Sequence, residues 1–155
     1  MYKRNHRQIL AIGVDSLDEG SEFREWPLHI TLVPWFEEAK QPQLSDGLET
    51  VAGYIRPFEA KLGARALFGA QQDVPVWTIE ENRSLQSLHN HTLTVVYDAN
   101  GQLDYSYVGY HYKPHITVRQ NENIDPVQHI SQMALVDDLG NGLRRVTEVF
   151  ELYGR

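Results

Sequence analysis

Two stretches of this chain repeat one arrangement of reactive side chains. Pro27-Leu28-His29-Ile30-Thr31-Leu32 and Lys113-Pro114-His115-Ile116-Thr117-Val118 each place a histidine two residues ahead of a threonine. In both, isoleucine stands between them, an aliphatic residue follows, and a proline lies just upstream. The histidines are 86 positions apart, 115 minus 29. In a β-strand, residues i and i+2 point to the same face. Each copy therefore sets an imidazole beside a hydroxyl and turns its isoleucine toward a core. Should the two strands converge, one imidazole can act as general base and the other as general acid. The two hydroxyls can then donate hydrogen bonds to the non-bridging oxygens of a phosphate. Cleaving a phosphodiester needs that set. Arg119 shares the parity of His115 and Thr117, and adds a guanidinium to the same place if the strand runs that far.

A single His-x-Thr carries little weight, since the pair occurs by chance. The competing reading is two ordinary strand histidines. The repeat on two β-type segments, each with proline before and an aliphatic after, favours the paired site. A third match, His129-Ile130-Ser131, lacks the upstream proline and is followed by Gln132. It reads as the start of a terminal hairpin.

The elements that must position these residues can be laid out from periodicity. Residues 8–14 (QILAIGV) form a nearly continuous apolar run, expected as a buried strand. Residues 15–25 are polar and read as a loop, with one helical turn as the alternative. Residues 28–33 read as a short strand bounded by Pro27 and Pro34. Leu44, Leu48, Val51, Ala52 and Ile55 fall at helical spacing, bracketed by Pro42 and Pro57, and predict a helix over 43–55. Residues 58–68 and 74–79 should be paired strands. Leu85, Leu88, His89, Thr92, Leu93 and Val96 make a second helical stripe, with Asn82 or Ser84 as its cap. Residues 98–112 are a loop rich in tyrosine and glycine, and 115–119 a second short strand. Residues 130–137 and 144–153 read as a hairpin around Gly140-Asn141-Gly142. Mixed strands with two helices place the chain in the α+β class. No linker divides it, so residues 1–155 are expected to form one domain.

The 155 residues are 41% hydrophobic and 23% charged, and the net charge is −7. That charge argues against holding long duplex nucleic acid by phosphate neutralisation, and leaves room for a small phosphate ester in a local positive pocket. Without cysteine, thiolate catalysis, disulfides and zinc–thiolate sites are excluded. Residues 1–10 carry Lys3, Arg4, His6 and Arg7 but no apolar core, so they do not read as a secretory signal. No apolar run is long enough to span a membrane. A cytoplasmic protein is the expectation.

Two strand-borne His-x-Thr-hydrophobic motifs at this separation resemble the 2H phosphoesterase superfamily, in particular its 2′,5′-RNA ligase-like and cyclic nucleotide phosphodiesterase branch. The resemblance implies two pseudo-symmetric lobes of antiparallel sheet backed by helices, facing each other across a central groove with one motif on each side. It implies metal-independent action, with no cofactor, on a 2′,3′-cyclic phosphate or a 2′,5′-linked phosphodiester of a nucleotide or RNA end. By that analogy His29 and His115 are the catalytic pair, and Thr31 and Thr117 hold the phosphate. Many members of that family carry a full helix between the first strand and the first motif. Residues 15–27 are short and polar here, so the first lobe is expected to be reduced.

The expected mechanism is in-line attack of water, one histidine taking its proton and the other protonating the departing ribose oxygen. The sequence does not say which is which. A bell-shaped rate–pH profile with limbs at about pH 6–7 should follow. Trp35, Phe36, Tyr110 and Tyr112 flank the motifs and are candidates for stacking on a base, against the alternative of core or rim packing. A binding module that holds a nucleotide or RNA end without turnover is the competing function. A metal site is a third. His89 and His91 are two apart on a helix and do not share a face, and no third ligand stands beside His111 and His115. Base preference, the position of the product phosphate, hydrolysis against ligation, and oligomeric state are not readable.

Overall fold

A computed structural model describes residues 6–119 and 122–154; residues 1–5, with Lys3 and Arg4, lie outside it. Ten strands and two helices follow in the order β1 (Arg7–Gly13), β2 (Glu22–Phe23), β3 (His29–Glu37), α1 (Gln41–Tyr54), β4 (Phe58–Phe68), β5 (Val74–Ile79), α2 (Arg83–Asp98), β6 (Gln102–Leu103), β7 (His115–Thr117), β8 (Val127–Ile130), β9 (Gln132–Gly140) and β10 (Leu143–Glu151). A single 3-10 turn, Gly109–His111, precedes β7. The fold is α+β. The strands lie in the order β2-β10-β9-β1-β3-β7-β5-β4-β8, with β6 also beside β3, and every pairing is antiparallel.

β1 reads as an unbroken apolar run because it lies between β3 and β9 with both faces covered. Leu10 and Ile12 join the main core, with Leu44, Leu48, Leu85 and Leu88 of the helices. Ile9 and Ala11 join a smaller cluster on the other face, with Leu17, Ala134, Val136 and Val146. Helix α1 turns Leu44, Leu48, Val51 and Ala52 inward. Helix α2 is capped by Asn82, whose side chain accepts the Leu85 N–H at 2.9 Å. In the terminal hairpin Asn141 and Gly142 both take positive φ, 53° and 75°, as a two-residue turn between right-twisted strands requires. Among the described residues no helix is long and apolar enough to cross a membrane.

Three expectations need correction. β3 does not stop at Pro34 but runs to Glu37. The β1–β3 register slips between Gln8 and Leu10, and a bulge lets the ladder pass a residue that has no N–H to give. Residues 127–130 do not open the terminal hairpin: they form β8, which pairs with β4 at the far edge of the sheet. The segment 15–27 has no helix, as its polar composition suggests, but it is not a plain solvent loop. Leu17 is buried, and Phe23 and Trp26 pack against the smaller cluster.

The sheet has two halves, β2-β10-β9-β1-β3 and β7-β5-β4-β8, and they meet between β3 and β7. That junction is one bridge pair, Ile30 with Ile116, both fully buried.

Candidate active site

The bridge pair decides the site. Ile30 and Ile116 stand directly opposite on antiparallel strands and face the main core. Their sequence neighbours must face the other way. One residue to either side along the register, His29 comes across from Thr117 and Thr31 across from His115. The four polar groups therefore share one face on two adjacent strands. The imidazoles are diagonal neighbours, with carrier positions about 7–8 Å apart in such a ladder. That is a span a phosphate can bridge.

The strands on either side shape the surroundings. On β1, Gly13 lies across from His29 and Ala11 across from Thr31, so nothing larger than a methyl group stands there. On β5, Thr78 lies across from His115 and Val76 across from Thr117. Neither Thr31 nor Thr117 has its hydroxyl in a hydrogen bond among the described residues. Both are free to donate outward.

Both imidazoles are held the same way. Nδ1 of His29 lies 2.8 Å from the Pro27 carbonyl, and Nδ1 of His115 lies 2.8 Å from the Lys113 carbonyl. A carbonyl can only accept, so each Nδ1 carries a proton and each Nε2 is left for chemistry. The shared feature is a carbonyl two residues before the histidine. The prolines themselves are offset, at the second position before His29 and the first before His115. Entry to β3 is pinned by Asp15, whose carboxylate accepts the Leu28 N–H at 3.2 Å. Each ring also has an aromatic neighbour. Trp26 lies against His29 with centroids 4.2 Å apart and the rings tilted by 31°, and Phe68 meets His115 edge-on at 4.8 Å.

Burial lowers the pKa of His29 below the ordinary 6.5. Its bond to the Pro27 carbonyl opposes that shift, while the positive charges of His115 and Arg144 reinforce it. Arg144, on β10, has its guanidinium 5.6 Å from the Trp26 ring centre and 5.9 Å from that of Trp35. It donates to the Arg24 and Gly142 carbonyls, and its buried Nε has no hydrogen-bond partner among the described residues.

Other residues singled out by sequence lie in varied places. β7 ends at Thr117, so Arg119 is not carried to the site by the strand. Its guanidinium bonds the Trp26 carbonyl and pairs with Glu25 at 3.4 Å and with Glu122 at 4.0 Å. Those contacts hold it at the rim, beside the Trp26 backbone. Phe36 is 1% exposed in the main core and cannot reach a base. Tyr112 has one ring face against His89, at 3.8 Å and 4°, and its hydroxyl bound to the Thr31 carbonyl. It is a structural residue, not a free platform. Tyr110 is 105% exposed on the 3-10 turn, and Trp35 is half-buried beside Trp26, with Arg7 4.6 Å over its ring. His129 lies 3.4 Å from Glu59 on the distant edge strands. Among the described residues no three His, Asp or Glu side chains gather as metal ligands.

The family model described as "2'-5' RNA ligase superfamily" matches residues 8–148, which include both motifs. The chain belongs to that superfamily. No curated protein matches it. Solved structures of the same fold include TT0787 of Thermus thermophilus, at 19% identity and a TM-score of 0.66, covering 96% of this chain and 99% of that one. A protein described as a phosphoesterase has 19% identity, a TM-score of 0.60 and the same coverage. E. coli LigT complexed with 3'-AMP has 16% identity, a TM-score of 0.62, and again 96% and 99% coverage.

Sequence reasoning missed Trp26, Phe68 and Arg144. Trp26 was within reach, three residues before His29. Phe68 and Arg144 arrive from distant strands, with no local pattern to flag them.

Proposed function

We propose that this chain is a metal-independent phosphoesterase. Its substrate is a 2′,3′-cyclic phosphate or a 2′,5′-linked phosphodiester of a nucleotide or RNA end, with both halves of the sheet working as one domain. The observation that carries the reading is the Ile30–Ile116 pair, because it turns two separate motifs into one four-group face. In this mechanism Thr31 and Thr117 donate to the phosphoryl oxygens. His29, kept neutral by burial, accepts the proton of the attacking water at Nε2 as the new P–O bond forms. His115 delivers a proton from its own Nε2 to the ribose oxygen as the old P–O bond breaks. The two imidazoles supply both proton transfers, so no metal-bound water is needed. Arg119 and Arg144 add positive potential at the rim of a chain whose net charge is −7. Trp35 and Tyr110 remain the candidates for meeting a base. E. coli LigT has been crystallised with 3'-AMP, with ATP and with NADP+, which fits a small-nucleotide substrate.

The test is hydrolysis of 2′,3′-cyclic nucleotides and 2′,5′-linked dinucleotides in EDTA, from pH 5 to 8. Turnover should survive chelation and fall by about 10²–10⁴ in His29→Ala and in His115→Ala. Binding without turnover across that range would instead make the chain a nucleotide-binding module. Full activity in the double alanine variant would end the two-histidine mechanism.

A further inference from the structure

The two motif strands share one bridge pair, which is a slender joint for a site that needs tight placement. Just beyond it, two carbonyls of β3 accept hydrogen bonds from side chains. The Tyr112 hydroxyl donates to the Thr31 carbonyl at 2.8 Å, and Nδ1 of His89 donates to the Leu32 carbonyl at 2.7 Å. Nε2 of His89 accepts the Gly109 N–H at 2.9 Å. The imidazole is fully buried and lies flat on the Tyr112 ring, at 3.8 Å and 4°. One neutral ring on α2 thus holds β3 on one side and the segment before β7 on the other. Tyr112 precedes Lys113, the residue whose carbonyl orients His115.

We propose that His89 is a positioning residue which, through Tyr112, clamps the Thr31 strand to the segment that delivers His115. Both ring nitrogens are committed, one as donor and one as acceptor, so only a neutral histidine serves. Phenylalanine keeps the stack and loses both bonds. This reading rests on the two-histidine site, because the clamp matters to function only if Thr31 and His115 act together. A misplacement of about 1 Å in such a site costs about 10²-fold in rate.

The test compares His89→Phe and Tyr112→Phe with the wild type, with His91→Ala as the control on the exposed side of the same helix. Melting temperature, kcat and KM for a 2′,3′-cyclic nucleotide, and hydrogen exchange at the Gly109 amide are measured well below the melting point. The expected result for His89→Phe is a kcat lower by about 10- to 100-fold with KM within about threefold, and faster exchange at Gly109. Tyr112→Phe should lower kcat by a smaller factor, and His91→Ala should change neither. Folded variants with wild-type kcat would overturn the proposal, as would slow exchange at Gly109 in His89→Phe. If His89→Phe does not fold, Tyr112→Phe decides the matter through the same kcat and KM split. If the wild type has no turnover, the functional reading fails first. The clamp is then judged on Gly109 exchange and on whether the NMR signals of Thr31 and His115 shift together in the variants. Unmoved signals would overturn it.

Discussion

Arg144→Gln removes a charge from the neighbourhood of His29 without touching the imidazole. The His29 ring centre lies 4.2 Å from that of Trp26, and the Arg144 guanidinium carbon lies 5.6 Å from the same point. The two charged groups are therefore no more than about 10 Å apart. At an effective dielectric constant of about 20, that separation corresponds to about 1.7 kcal/mol of repulsion against a protonated His29. Screening at 0.1 M salt, with a Debye length of about 10 Å, cuts it to about 0.6 kcal/mol. At 10 mM salt, with a Debye length of about 30 Å, about 1.2 kcal/mol of the repulsion remains. The sign follows from charge: losing a cation makes protonation easier, so the His29 pKa rises. The acidic limb of kcat/KM against pH should move up, and the move should grow as salt is lowered. Because two nearby imidazoles titrate as a pair, the limb belongs to the pair, and imidazole NMR should accompany the kinetics. A limb that stays in place at both salts, or moves down, would show that Arg144 does not act on His29 through its field.

Thr31→Val and Thr117→Val keep shape and remove a donor. Each should lower kcat by about 10²-fold with little loss of stability, as loss of one oxyanion donor does elsewhere; steady-state kinetics on a cyclic nucleotide reads this out. Ile116→Ala opens a cavity at the bridge pair and should cost about 2–5 kcal/mol in urea unfolding, or about 2–4 °C of melting temperature per kcal/mol. His29 and His89 both have pKa values lowered from 6.5 by burial. The unfolded chain thus binds more protons than the folded one below pH 6.5, and stability must fall as pH drops through that window. Melting curves from about pH 7.5 to 5 should show the loss, with a smaller loss in His89→Phe; a flat wild-type profile would contradict it.

What could be read in the sequence follows from physical locality. Both helices were legible from apolar spacing, the first with its bracketing prolines and the second with its Asn82 cap, because an amphipathic helix carries its own record of the face it buries. The two His-x-Thr copies were legible because strand parity guarantees that i and i+2 face together. The passage of β3 through Pro34 was not, since it depends on a bulge set against β1. The role of residues 15–27 was hidden because Leu17, Phe23 and Trp26 are scattered among polar residues without periodicity. Tyr112 stayed open between stacking on a base and packing, because aromatics near a site are ambiguous until their partner is known. That partner, His89, is 23 positions away on a helix.

The pairing geometry bears on how, in the proposed mechanism, a repeated motif would act asymmetrically. When two copies of His-Ile-Thr pair antiparallel through the central isoleucine, each histidine must come across from the other copy's threonine. The result has an approximate two-fold axis, and a tetrahedral phosphate on that axis meets an imidazole and a hydroxyl from each side. Symmetry alone would leave the two histidines interchangeable. The flanking elements break the tie. His29 lies against the tilted ring of Trp26, near Arg144, while His115 meets the edge of Phe68. Trp26 and Arg144 come from the half of the sheet that holds β1, β9 and β10, and Phe68 from the half that holds β4 and β5. In the proposed mechanism the motifs supply the reacting groups, and the unlike surroundings of the two halves distinguish their roles.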